Sequence, residues 1–203
     1  MLMTTLLPLS YLGPVSYYAA MLQSESVLLE QYEHYVTQTY LTRCKIATGN
    51  GIMDLTVPVD KPSSKCAMKD LRIAYKENWQ QIHWRALESA YRNSPFFDYY
   101  RDDFEPFYTK QTEFLLDLNL GLHEVVASLI GKLPKVALTQ AYESECAENV
   151  VDLRNAFSPK AVSPYQGKPY YQVFDQKFGF QNDLSIVDLL FNMGPESILV
   201  LRP

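Results

Sequence analysis

The chain has 203 residues, 47% of them hydrophobic and 20% charged, with a net charge of −5. That length is enough to bury one substantial core, and the balance is that of a globular protein. The acidic balance, without a basic run or stripe, argues against a nucleic-acid or anionic-membrane partner, and no stretch approaches the roughly 18 unbroken apolar residues of a membrane span. The opening MLMTTLLPLS has no basic start and meets Pro8 too early for a signal peptide. Cys44, Cys66 and Cys146 are odd in number and widely spaced. They fit reduced thiols in a cytoplasm better than a disulfide framework or a zinc site. Fifteen tyrosines suit an aromatic core first, and a cleft or interface second.

In chain order, residues 3–9 read as a short apolar strand, followed by the loop Ser10–Pro14. Pro14 suits the first turn of a helix over 14–23, and Ser26–Gln31 reads as a second strand. This strand–helix–strand order opens a βαβ unit with a right-handed crossover. Strands at 42–48 and 52–57 flank Asn50-Gly51, a strong hairpin signal, and Pro58 ends the second. A polar turn at 60–66 and a strand at 70–74 follow. Trp79, Ile82, Ala86, Leu87, Ala90 and Tyr91 recur at helical spacing, with Asn78 and Gln81 spaced as a capping box and Pro95 as the stop. Residues 96–108, dense in aromatics, predict one shorter helix, and 111–131 a long one closed by Gly131 and Pro134. Val136–Leu138 reads as a strand and Ala147–Leu153 as a helical turn or two. Residues 156–183 read as a long ordered loop, of the kind that tends to be functional. Two short helices broken at Gly194 end the chain. The expected fold is α/β: a strand–helix–strand unit and a hairpin with a mainly helical C-terminal half, in one domain over 1–203.

Chemistry is less explicit. The loop at 10–14 precedes a helix whose free N–H groups favour anions, yet one glycine, Gly13, makes neither a Walker loop nor a dinucleotide fingerprint. A tight turn explains it as well. Of three histidines, His34 lies in a polar-aromatic loop with Glu30, Glu33 and Tyr35. His83 lies beside the central apolar stripe, where a boundary histidine with one hydrogen bond is an equal alternative. His123, within the long helix, reads as structural. Arg43 alternates with Cys44 on its strand and can hold a carboxylate or phosphate, or simply face solvent. No motif points to a metal or a cofactor.

The segment YLGPVSYYAAMLQSESVLLEQYEHYVTQTYLTRCKI, the NGxxxLTVPV pattern at Asn50–Val59, the WxxxH of Trp79 and His83, AYRNSPFF at Ala90–Phe97, SPYQGKPYYQVF from Ser163 and FGFQNDLSIVDLLFNMGPE together resemble the WbqC-like protein family over nearly the whole chain. The resemblance implies a place among proteins of O-antigen and other cell-surface polysaccharide synthesis, with an enzymatic role in modifying a sugar or amino sugar. It carries no catalytic residues with it. The resulting expectation is a cytoplasmic enzyme that acts on an activated or nucleotide-linked sugar, or transfers a group to one. Tyr11, His34, Arg43, His83 and Tyr91 would share a cleft. The 10–14 loop, with Tyr11 and Gly13, and Arg43 would bind substrate, His83 or His34 would move a proton, and Tyr91 would orient. The rival is a non-catalytic scaffold of an assembly complex. Self-association as a homo-oligomer stays open.

Overall fold

The computed structural model describes residues 3–60, 65–163 and 165–202. Part of the polar turn expected at 60–66 therefore lies outside the described residues. The fold is α/β. Strand β1 (Thr4–Pro8), helix α1 (Val15–Leu22) and strand β2 (Ser26–Glu30) form the expected βαβ start, and β1 pairs with β2 in parallel from Thr4–Ser26 to Pro8–Glu30. β3 (Arg43–Thr48) and β4 (Gly51–Thr56) form a separate antiparallel hairpin, with Gly51 at φ +108° where a side chain would be strained.

Helix α2 (Trp79–Tyr91) buries a face shifted from the expected one. Ile82 is 54% exposed, whereas Gln80 and His83 point inward. Their polar atoms find partners: the Gln80 amide donates to the carbonyls of Phe107 and Lys110 at 2.9 and 2.7 Å. Asn78 bonds the Gln81 side chain at 3.0 Å, so the expected capping box does not form. The single helix expected at 96–108 is two, α3 (Phe97–Phe104) and α4 (Pro106–Thr109), because Pro106 has no N–H to continue the first and suits the start of the second. In place of the strand expected at 70–74, Asp70 ends a 3₁₀ turn begun at Met68, and Arg72 and Ile73 make only the isolated bridges Arg72–Phe114 and Val59–Ile73. α5 (Leu115–Ile130) ends at Gly131, which takes a left-handed φ of +75°.

Strands β5 (Val136–Leu138) and β6 (Val150–Asp152) complete a four-stranded parallel sheet of order β5-β2-β1-β6. The helical turn expected at 147–153 is thus a strand: Val150 and Val151 are β-branched and pair with the central β1. α6 (Asp175–Phe178) interrupts the long loop, and α7 (Ile186–Met193) and α8 (Ser197–Leu201) follow. One core cluster runs from Leu7 and Leu29 through Tyr91 and Leu122 to Phe191. α1 and α5 meet one sheet face, where Tyr18 and His123 stack near Leu29. Residues 139–149 cross the other face from edge to edge, over a cavity of about 280 Å³ floored by Leu6 and Leu28. No helix among the described residues is long and apolar enough to cross a membrane.

Candidate functional site

In an open parallel sheet the natural crevice lies beyond the carboxyl ends of the strands, where the strand order reverses. Here that point is between β1, which continues through α1 to β2, and β6 on its other side. A cavity of about 250 Å³ sits there, lined by Pro8, the last residue of β1, and Leu9 after it, Glu33 after β2, and Arg154 and Asn155 after β6. A second, of about 450 Å³, opens beside it towards α1, Ala161, Val162, Ser163 and Tyr165. The two share Tyr40, Asn155, Phe157 and Ser158, so they form one cleft.

The polar end has an ordered electrostatic frame. Arg154 is buried and grips Asp152 through Nε (3.0 Å) and an Nη (2.6 Å), donates to the Glu143 carbonyl at 2.9 Å, and lies 3.7 Å from Glu30. Glu30 is only 1% exposed and also accepts from the Tyr32 N–H at 2.7 Å and the Thr139 hydroxyl at 3.1 Å. Glu33 stands beside this frame as a half-buried carboxyl. Burial raises its pKa, with Glu30 and Asp152 adding to the rise and Arg154 and His34 opposing it. Burial and the nearby acids, Asp183 first, push the Tyr40 phenol up to about 12, which keeps it a neutral O–H donor.

The first turn of α1 is not a vacant anion site. Val15 N–H donates to the Leu184 carbonyl at 2.9 Å, Ser16 N–H and Oγ–H donate to the Asp183 carboxylate at 2.8 and 2.9 Å, and Tyr17 N–H turns back to Pro14. Gly13 is needed for close approach: a Cβ there would lie 2.7 Å from Ser10 Oγ, and its carbonyl accepts from Ile186 N–H at 2.9 Å.

The five residues expected to share a cleft are not clustered. Tyr11 and His83 do meet, at 2.9 Å between hydroxyl and Nδ1, and Tyr11 also bonds Tyr108 at 2.9 Å. Burial lowers the His83 pKa to about 4, opposed by the Thr56 backbone, and the ring packs against Trp79 and Tyr108 inside the protein. Tyr91 is buried elsewhere and donates to Asp188 at 2.9 Å, a carboxylate that also receives Tyr170 and Gln172. Arg43 pairs with Asp54 at 3.2 Å on the hairpin. His34 is exposed and follows the lining residue Glu33 directly, as Gly13 precedes the lining residue Pro14. Arg154, Asn155 and Tyr40 were not singled out in the sequence. For Arg154 and Asn155 the signal is placement after a parallel strand, hidden because β6 reads as helical; Tyr40, in the loop before β3, carries no such signal. Among the described residues no group of three or more His, Cys, Asp or Glu is arranged to hold a metal ion.

Comparison with known proteins agrees with the motifs. The uncharacterised protein Rv1507c of Mycobacterium tuberculosis (strain ATCC 25618 / H37Rv) is 27% identical over 193 residues, covering 83% of this chain and 84% of its own length. No solved structure matches. A family model for the WbqC-like protein family matches residues 10–172, which take in β2, the hairpin, α2 and the cleft residues from Glu33 to Tyr165. That match spans most of the chain, and the protein belongs to the WbqC-like family.

Proposed function

We propose that the protein is a cytoplasmic enzyme of cell-surface polysaccharide synthesis that transfers a group to a sugar or amino sugar held in the cleft beyond β1, β2 and β6. The observation that carries this reading is Glu33, a carboxyl of raised proton affinity in a concavity at the strand-order reversal. In the step envisaged, a sugar oxygen or nitrogen bonds to the transferred group while its proton passes to Glu33, and the donor's leaving group departs with the bonding electrons. His34, exposed beside Glu33, relays that proton to solvent. Tyr40 and Asn155 supply a donor and an amide for hydroxyl groups. The three cysteines are unpaired, which suits a reducing compartment.

The same geometry narrows the ligand. Glu33 and Asp183 line the cleft, Arg154 is neutralised by Asp152, and Lys45 donates to the Pro159 carbonyl at 2.7 Å. A diphosphate would meet carboxylates there, so the sugar portion of an activated ligand is the part the cleft receives. A thermal-shift and titration screen with sugars, amino sugars and nucleotide sugars tests this, since a ligand that binds only the native form raises the midpoint. The expected result is stabilisation by an amino sugar that is weakened in Tyr40→Phe, and turnover lost by 10²-fold or more (about 3 kcal/mol) in Glu33→Gln. Full turnover in Glu33→Gln, or no sugar bound by any measure, overturns it and favours the scaffold.

A further inference from the structure

The two halves of the cleft differ in chemistry. The half at Glu33 and Arg154 is charged. The half beyond Phe157 is walled by Leu153, Ala156, Ala161 and Val162. Ser16 gives both its N–H and its hydroxyl to Asp183, so those groups are satisfied internally. Pro14 has no N–H to offer. Tyr40, Asn155, Ser158, Ser163 and Tyr165 also line the space beside these aliphatic side chains, of which Val162 is 96% exposed. A cavity of about 450 Å³ lies within the size range of small-molecule sites, which are mostly apolar with a few polar groups fixing orientation.

We propose that this annex binds an aliphatic substituent, an acyl chain of short to medium length, carried by the sugar whose polar part lies against Glu33. The inference rests on the cleft reading above and adds the substrate class: an acylated sugar or amino sugar. A nucleotide fits less well, since its phosphates would point at Glu33 and Asp183.

The test separates the annex from the polar half. The full chain, labelled with ¹⁵N, is titrated with 1-butanol, 1-hexanol and 1-octanol, and in parallel with glucosamine and its N-butanoyl, N-hexanoyl and N-octanoyl derivatives. The expected result is shifts of the Leu153, Ala161, Val162 and Tyr165 amides, with affinity rising about threefold to fourfold per methylene until the annex is full. Ala161→Trp and Ala156→Trp, both at exposed positions, shorten the longest chain accepted. Two such sites guard against one variant that fails to fold. Alkanols that leave these amides unmoved, or affinity that is flat with chain length in both series, overturn the annex. If glucosamine alone still binds and Glu33→Gln still abolishes turnover, the enzyme reading survives that result. If alkanols bind but no sugar does, the annex stands and the enzyme reading falls.

Discussion

Two buried histidines make acid sensitivity a property of single residues. His123 stacks on Tyr18, and burial lowers its pKa to about 4. A group whose pKa is depressed on folding stabilises the protein above its unfolded value, near 6.5, and loses that contribution as pH falls through about 4. Between pH 7 and pH 5 the loss is about 2 kcal/mol for this ring. His123→Phe should therefore flatten the fall in urea midpoint over that interval, while His83→Phe, which also removes one of the two partners of the Tyr11 hydroxyl, should flatten it and lower the midpoint at pH 7. Asp188, whose burial raises its pKa, acts in the opposite direction, so the comparison is between variants rather than with a flat baseline. In the sequence His83 lies beside the apolar stripe one turn after Trp79, where an inward and a boundary position fit equally. Tyr11 and His83 are expected in one cleft and do meet across 72 positions, although nothing local links an opening loop to a helix face.

At the scale of elements, local pattern and tertiary demand part company at predictable places. β1, α1, β2 and the hairpin are legible because their alternation, Pro14 and Asn50-Gly51 are local signals. β6 is three residues long and is a strand only because β1 offers it an edge. Misreading it conceals Arg154, hence half the cleft. That arginine pins the 139–149 crossing to the sheet through the Glu143 carbonyl, with Cys146 Sγ 3.8 Å away. Replacing Arg154 by Met removes the cation beside a carboxylate that is 1% exposed, at a cost of about 3 kcal/mol. Arg154→Lys should recover only part of this, since an ammonium cannot fork onto Asp152. Chemical denaturation measures both, and amide exchange should quicken first across 139–149. The start of α1 makes a separate prediction. Asp183 supplies the cap that Pro14 cannot, from a left-handed φ of +56° that aspartate and asparagine tolerate. Asp183→Ala should cost about 2 kcal/mol and Asp183→Asn about half that, read as shifts in thermal midpoint.

For the whole molecule, class was legible and connectivity was not. A parallel sheet assembled from residues 4–8, 26–30, 136–138 and 150–152 has partners separated by most of the chain, and periodicity carries no information about which distant strand is adjacent. Within the long segment after β6, Tyr170 and Gln172 converge on Asp188 and tie that part of the chain to α7.

The grip of residues 183–186 on residues 12–16 bears on synthesis. Ser185 Oγ bonds the Leu12 carbonyl at 2.7 Å, Ile186 closes on Gly13, and Asp183 and Leu184 seat the opening helical turn. While residues 183–186 are untranslated none of these ties exists, so α1 stays unseated until that segment is made. A polypeptide that stops at residue 180 should be cut by chymotrypsin at Tyr17 or Tyr18, and the 203-residue chain, in which both rings are buried, should resist at those bonds.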